Sequence, residues 1–283
     1  MKPALSLVFF TVLSGAGLGA LALLALAYGA AAPRMPVVAG IALVTLGLLS
    51  SVLHLASPRN AWRSFLRFRT SWLSREAVFA ILLYPAVLAW LLGLPGAAYA
   101  VLSLAWLILV CTAMIYASLK PIREWRSPLV PLNFFLLGHY SGALVVLALT
   151  ADRNLVVPTL VLLLAAAAAK VAYYRVMEAP ERPSVQAALG MPSAARVKLL
   201  DAGHSHGTYL TEEFAFRLAR GRAEQLKAAV AVVGFLLPVF LLIAFEDAKP
   251  LAALLCIAGL LTERWLFFAE ARHTVNLYQK RRP

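Results

Sequence analysis

The stretch ALSLVFFTVLSGAGLGALALLALAYGA, residues 4–30, contains no charged side chain. Roughly 20 consecutive apolar residues cross the hydrocarbon core of a bilayer as a helix, and this run is longer than that. Lys2 ahead of it and the small residues at 27–32 also suit a secretory signal. A signal core spans only about 7–15 residues, so the run is read as a membrane span. Within it, GAGLGA at 15–20 has the glycine spacing of a dinucleotide-binding turn. That motif works between a strand and a helix. Inside an apolar helix, Gly15 and Gly19 form a GxxxG pair that lets a neighbouring helix approach closely.

The rest of the chain repeats the pattern. Of its 283 residues, 62% are hydrophobic and 14% charged, with a mean hydropathy of +0.81. Soluble domains carry about 45–50% apolar and about 25% charged residues. The composition therefore excludes a soluble enzyme, a nucleic-acid-binding domain and a disordered chain. It predicts an all-α polytopic bundle in one integral membrane domain, 1–283. Hydrophobic runs place eight spans at about 4–30, 36–56, 77–94, 97–118, 130–150, 155–175, 226–245 and 250–271. Leu94-Pro95-Gly96 joins the third and fourth as a tight turn, and the alanine run 165–169 suits close helix packing. The one long connection is 176–225, where Phe214, Leu218 and Leu226 suggest an amphipathic helix entering span seven. Such a helix serves either as an interfacial element or as a docking surface.

The chain has 26 Lys and Arg against 13 Asp and Glu, a net charge of +13. With the side bearing Met1 called side A, only Arg34, Arg153 and Lys249 fall on side B, leaving 23 of the 26 on side A. Lys170 and Arg264, near span ends, are counted there. Basic residues accumulate in cytoplasmic loops. The split predicts both termini in the cytoplasm, as an even number of spans requires.

Ionisable groups near membrane depth are candidates for function. His54 ends span two and Glu76 opens span three, preceded by Arg75, with Trp62, Trp72 and several arginines between them. An imidazole and a carboxylate at one membrane face suit quinone chemistry, because each quinone carbonyl exchanges a proton as it exchanges an electron. The alternative is that His54 is merely interfacial and Glu76 only pairs with arginine. Haem would need axial histidines on facing helices. Of the five histidines, only His139 is deep, while His54 and His273 lie near side A. His204 and His206 lack cysteine or carboxylate partners for a metal. Cys111 and Cys256 form no CxxC. No haem, iron–sulfur cluster or molybdenum is expected on this chain. A transporter stays possible in principle, but no matched helix breaks mark a midplane site.

Four segments carry a specific resemblance: residues 1–17; HLASPRNAWR at 54–63 with TSWLSRE at 70–76; CTAMIYASLKPIR at 111–123; and ERWLFFAEARH at 263–273. They resemble the dimethyl sulfoxide reductase (DmsC-like) anchor family, related to the NrfD and polysulfide reductase anchors. The resemblance runs from the first span to the last. It implies an eight-helix anchor in a bacterial inner membrane that holds a molybdopterin catalytic subunit and a four-cluster iron–sulfur subunit. Electrons would pass between the nearest cluster and a quinone, ubiquinone or menaquinone, beside His54, Glu76 and Arg75. Arg59, Arg63, Arg67, Arg69, Lys120, Arg123 and Arg126 would dock the partners. The family usually has Gly where Ala56 stands here, which alters a helix contact or the quinone fit. Residues 199–213 resemble the sulfite dehydrogenase (SoeC-like) anchors slightly more than the sulfoxide reductase type. The resemblance thus implies a sulfite:quinone oxidoreductase, with a menaquinol-oxidising sulfoxide reductase as the alternative.

Overall fold

The computed structural model describes residues 3–53, 58–178, 185–194, 196–197 and 221–272. Among these, eight helices are long and apolar enough to cross a membrane. They are α1 (Leu5–Tyr28), α2 (Arg34–Val52), α3 (Trp72–Leu91), α4 (Ala97–Ala117), α5 (Leu129–Thr150), α6 (Val156–Glu178), α7 (Ala223–Ala244) and α8 (Lys249–Ala269). They match the eight expected spans. The boundary that matters most moves: α3 begins at Trp72, not near 77. Ser71 caps it by accepting the Ser74 amide at 3.4 Å, a favoured role for serine ahead of a helix. Glu76 is therefore inside the helix and not on its lip. The amphipathic helix expected from Thr211 lies outside the described residues, as do His204, His206 and His273.

α1 is the most buried span and touches α2, α4, α5 and α8. Glycine makes this possible, since lipid supplies no hydrophobic drive between helices and close backbone contact must do so instead. A Cβ on Gly19 would collide with the backbone of Gly138 on α5, and one on Gly142 with Gly19 and Ala20. On the opposite face, a Cβ on Gly17 would stand 2.5 Å from the Gly40 carbonyl of α2. The GxxxG pair is thus the α1–α5 seam and binds no nucleotide. In the alanine run only Ala166 and Ala169 are buried. Their three-residue spacing puts them on one face, where the Ala169 carbonyl accepts the Asn133 amide of α5 at 3.2 Å.

The α3–α4 connection is a Schellman turn. Gly93 has φ +77, Leu94 N–H reaches the Ala89 carbonyl at 3.0 Å, and Gly93 N–H reaches Trp90 at 2.9 Å. α7 carries one irregular turn, a π segment at Val232–Leu236 just before Pro238. Proline has no N–H for the carbonyl four residues back, here Gly234. The buried Tyr140 hydroxyl of α5 donates to that carbonyl at 2.9 Å. The break in α7 is thereby filled by a neighbouring side chain and opens no midplane site. Cys111 and Cys256 are both buried free thiols.

Side B is closed by short polar contacts. Tyr28 donates to Asp152 at 2.6 Å, and this bond with that from the Asn154 amide holds the Asp152 carboxyl below its ordinary range. Lys249 reaches the Ala151 carbonyl at 3.2 Å, and Trp90 the Gly29 carbonyl at 2.9 Å.

Candidate functional site

The Ser71 cap fixes where α3 starts, and the helical advance then sends consecutive side chains in different directions. Arg75 points outward. Its guanidinium donates to the carbonyls of Phe68 at 3.0 Å and Arg69 at 2.7 Å and lies 4.3 Å from the Trp72 ring. Glu76 turns inward, is only 4% exposed, and accepts a hydrogen bond from Thr112 on α4. Glu76 does not pair with Arg75, its chain neighbour.

The Thr112 hydroxyl has one proton but two acceptors in reach. The second is the Ile108 carbonyl at 2.9 Å. The hydroxyl proton is shared between the carboxyl of Glu76 and this carbonyl. The site therefore holds a buried carboxyl against a hydroxyl.

Between α3, α4 and the turn at 68–70 lies an open groove of about 460 Å³. Phe68, Trp72, Phe79, Leu107 and Val110 make its walls apolar; Arg69 and Arg75 place donors at it. Phe68 and Phe79 meet edge to face at 5.7 Å. Volume and lining fall in the range of small-molecule sites, apolar walls with a few polar groups. Glu76 and Thr112 do not line the groove. They are the chain neighbours of Arg75 and Cys111, which do.

Of the other expected residues, His54 and the side chain of Arg59 lie outside the described residues. Arg63, Arg67 and Arg69 are exposed on the second connection, with Arg63 5.8 Å from the Trp62 ring. Lys120 and Arg126 are exposed and Arg123 half-buried on the α4–α5 connection. That connection is fixed to α6 and α8. Trp125 donates to the Phe267 carbonyl at 3.2 Å, and the Glu124 carbonyl accepts Tyr173 at 3.1 Å. Tyr116, Trp125, Phe134, Phe267 and Phe268 pack as one aromatic cluster beneath it.

Two charges counted toward side A lie buried within the bundle. Lys170 and Arg264 are each 4% exposed and flank the fully buried Glu263. Lys170 pairs with Oε1 of Glu263; Arg264 Nε stands 3.2 Å from Oε2. Arg264 also lies 3.9 Å from the Phe134 ring. Their positions inside spans six and eight were the available signal, since charges within spans are rare and inward-facing. His139 is buried with both ring nitrogens engaged. Trp106 N–H donates to Nε2 at 3.0 Å, and Nδ1 lies 2.8 Å from the Phe135 carbonyl. An indole only donates, so Nε2 accepts from Trp106 and Nδ1 donates to the Phe135 carbonyl. Among the described residues no group of three His, Cys, Asp or Glu could hold a metal ion.

Eight apolar spans among the described residues define a multi-pass helical membrane protein. The family model of the DMSO reductase anchor subunit (DmsC) matches residues 1–269, and the chain belongs to that family, as the anchor in an assembly of several different chains. It is also similar to a sulfite dehydrogenase subunit of Allochromatium vinosum, 33% identical over 326 aligned positions that cover 98% of each chain.

Proposed function

We propose that this chain is the membrane anchor and quinone-reactive subunit of a molybdopterin oxidoreductase complex of the sulfite:quinone type. The carrying observation is the α3–α4 groove, whose apolar and aromatic walls suit a quinone ring and isoprenoid tail and whose lining includes Arg75 and Cys111, the chain neighbours of the Glu76–Thr112 pair. Arg69 and Arg75 offer donors to a quinone oxygen, and His54 would donate to the other. Glu76 moves the proton. Two electrons reach the quinone from a four-cluster iron–sulfur subunit, itself reduced by the molybdopterin subunit, and two protons join its oxygens. Sulfite, water and quinone thus become sulfate and hydroquinone. The basic residues Arg59, Arg63, Arg67, Arg69, Lys120, Arg123 and Arg126 would dock these partners on the cytoplasmic side of a bacterial inner membrane. The full-length likeness to a sulfite dehydrogenase subunit favours sulfite. The name of the family model keeps a menaquinol-oxidising sulfoxide reductase as the second reading.

The test is the complex expressed with and without this chain. Sulfite should reduce a ubiquinone analogue only when the chain is present, while sulfite should reduce an artificial dye in both preparations. Sulfoxide-dependent quinol oxidation without sulfite activity would favour the second reading. Alkaline phosphatase fused after Lys280 should be inactive; activity there would reverse the orientation.

A further inference from the structure

Arg75 is tied to the groove in a way that its charge alone does not explain. The 3₁₀ segment Pro58–Arg67 runs into the turn at 68–70, and α3 starts at Trp72. A helix end leaves its last carbonyls without partners of its own. Here the Arg67 carbonyl is met from within the turn, by the amides of Thr70 at 3.1 Å and Ser71 at 3.0 Å. The next two carbonyls are met from α3. Arg75 Nε donates to Phe68 at 3.0 Å, and Arg75 Nη2 donates to Arg69 at 2.7 Å. A basic side chain thus closes the end of the segment that precedes its own helix.

The geometry asks for a guanidinium. Nε and Nη2 share one edge of a rigid plane and meet two acceptors at once. The same group lies 4.3 Å from the Trp72 ring, whose face attracts a cation. A lysine carries one nitrogen on a flexible stem and does not reproduce this fork. The consequence falls on the groove. Phe68 and Arg69, whose carbonyls are held, both line it, as do Trp72 and Arg75. The Phe68 ring meets Phe79 of α3 edge to face at 5.7 Å. Phe68 is 39% exposed, so packing of its ring alone does not fix that wall, and the hold on its backbone matters.

We propose that Arg75 is a positioning residue that clasps the turn at 68–70 to α3 and so sets the wall against which a quinone ring lies. This deepens the quinone reading above and rests on it. The clasp uses two of the five N–H groups of the guanidinium, which stays charged throughout. Its work is to shape the groove before substrate arrives; no proton or electron passes through it.

The whole complex carrying Arg75→Lys or Arg75→Gln tests this. Both should raise quinone KM by about tenfold, the share of one charge-assisted hydrogen bond, with kcat little changed. Dye-linked activity of the membranes checks that the complex has assembled, and Arg75→Lys keeps the charge and most of the length. Amide hydrogen exchange over residues 68–71 should quicken in both variants with no quinone present. On a Phe68→Ala background, Arg75→Lys should raise KM much less than it does in the parent, since the wall it holds is already gone. A parental KM in Arg75→Lys beside a raised KM in Arg75→Gln would mean that the cation itself meets the quinone, and the clasp is wrong. Unchanged exchange over 68–71 in Arg75→Gln would overturn the clasp whatever the kinetics, and would leave the quinone reading standing. Quickened exchange with a parental KM in both variants would mean that Arg75 holds the turn while quinone binds elsewhere, so the quinone reading fails and the positioning role falls with it.

Discussion

Glu76→Gln should lower quinone-linked turnover roughly 10²–10⁴-fold, the usual share of a general acid–base group, and leave dye-linked activity of the assembled complex untouched. The amide fills the same space and accepts from Thr112 as the carboxyl does, so α3 and α4 should keep their packing. It cannot carry a proton to a quinone oxygen. The loss should therefore fall on kcat and not on membrane attachment of the partner subunits. His54→Ala is expected to act in the same direction through the other oxygen. Stopped-flow reduction of a short-chain quinone, beside a dye assay on the same preparation, separates these effects. Near-parental quinone turnover in both variants would make the two residues structural.

The second large effect concerns stability. Glu263→Ala should deplete the folded protein from membranes, because it leaves Lys170 and Arg264, 5% and 5% exposed at their side chains, without their shared anion. Removing one member of a buried ion pair costs on the order of 3–5 kcal/mol. The contrast is the Arg153–Glu246 pair on side B, with side chains 76% and 57% exposed. Glu246→Ala there should cost at most about 1 kcal/mol, as exposed pairs do. Thermal aggregation of the detergent-solubilised protein should show a marked shift for the first and almost none for the second.

The eight spans could be read from the chain because lipid requires uninterrupted apolar helices, and runs such as 4–30 carry that requirement openly. The α1–α5 seam was legible too, since GxxxG in an apolar helix has few other uses. Glu76 was legible as a charge at a span end, but its burial was not: that follows from Ser71 acting as cap and extending α3 backwards. Thr112 gave no sign of its own, because a threonine in an apolar run reads the same whether it faces lipid, its own helix or a partner carboxyl. Lys170 and Glu263 are 93 residues apart, so only the folded bundle shows that each is the other's counter-charge. Lys170 and Arg264 lie within a few turns of side A, so their inward-facing burial was not legible from the charge count. The π turn of α7 was equally hidden; Pro238 marked a weak point in the helix, but not that Tyr140 would fill it.

The central claim is that quinone binds this chain in the groove between α3 and α4. Photolabelling of the assembled complex with an azidoquinone, followed by peptide mapping, tests it most directly. Label competed away by excess quinone should fall on peptides containing Phe68–Phe79 and Leu107–Cys111. Competed label confined to other helices, with none on those two segments, would contradict the account.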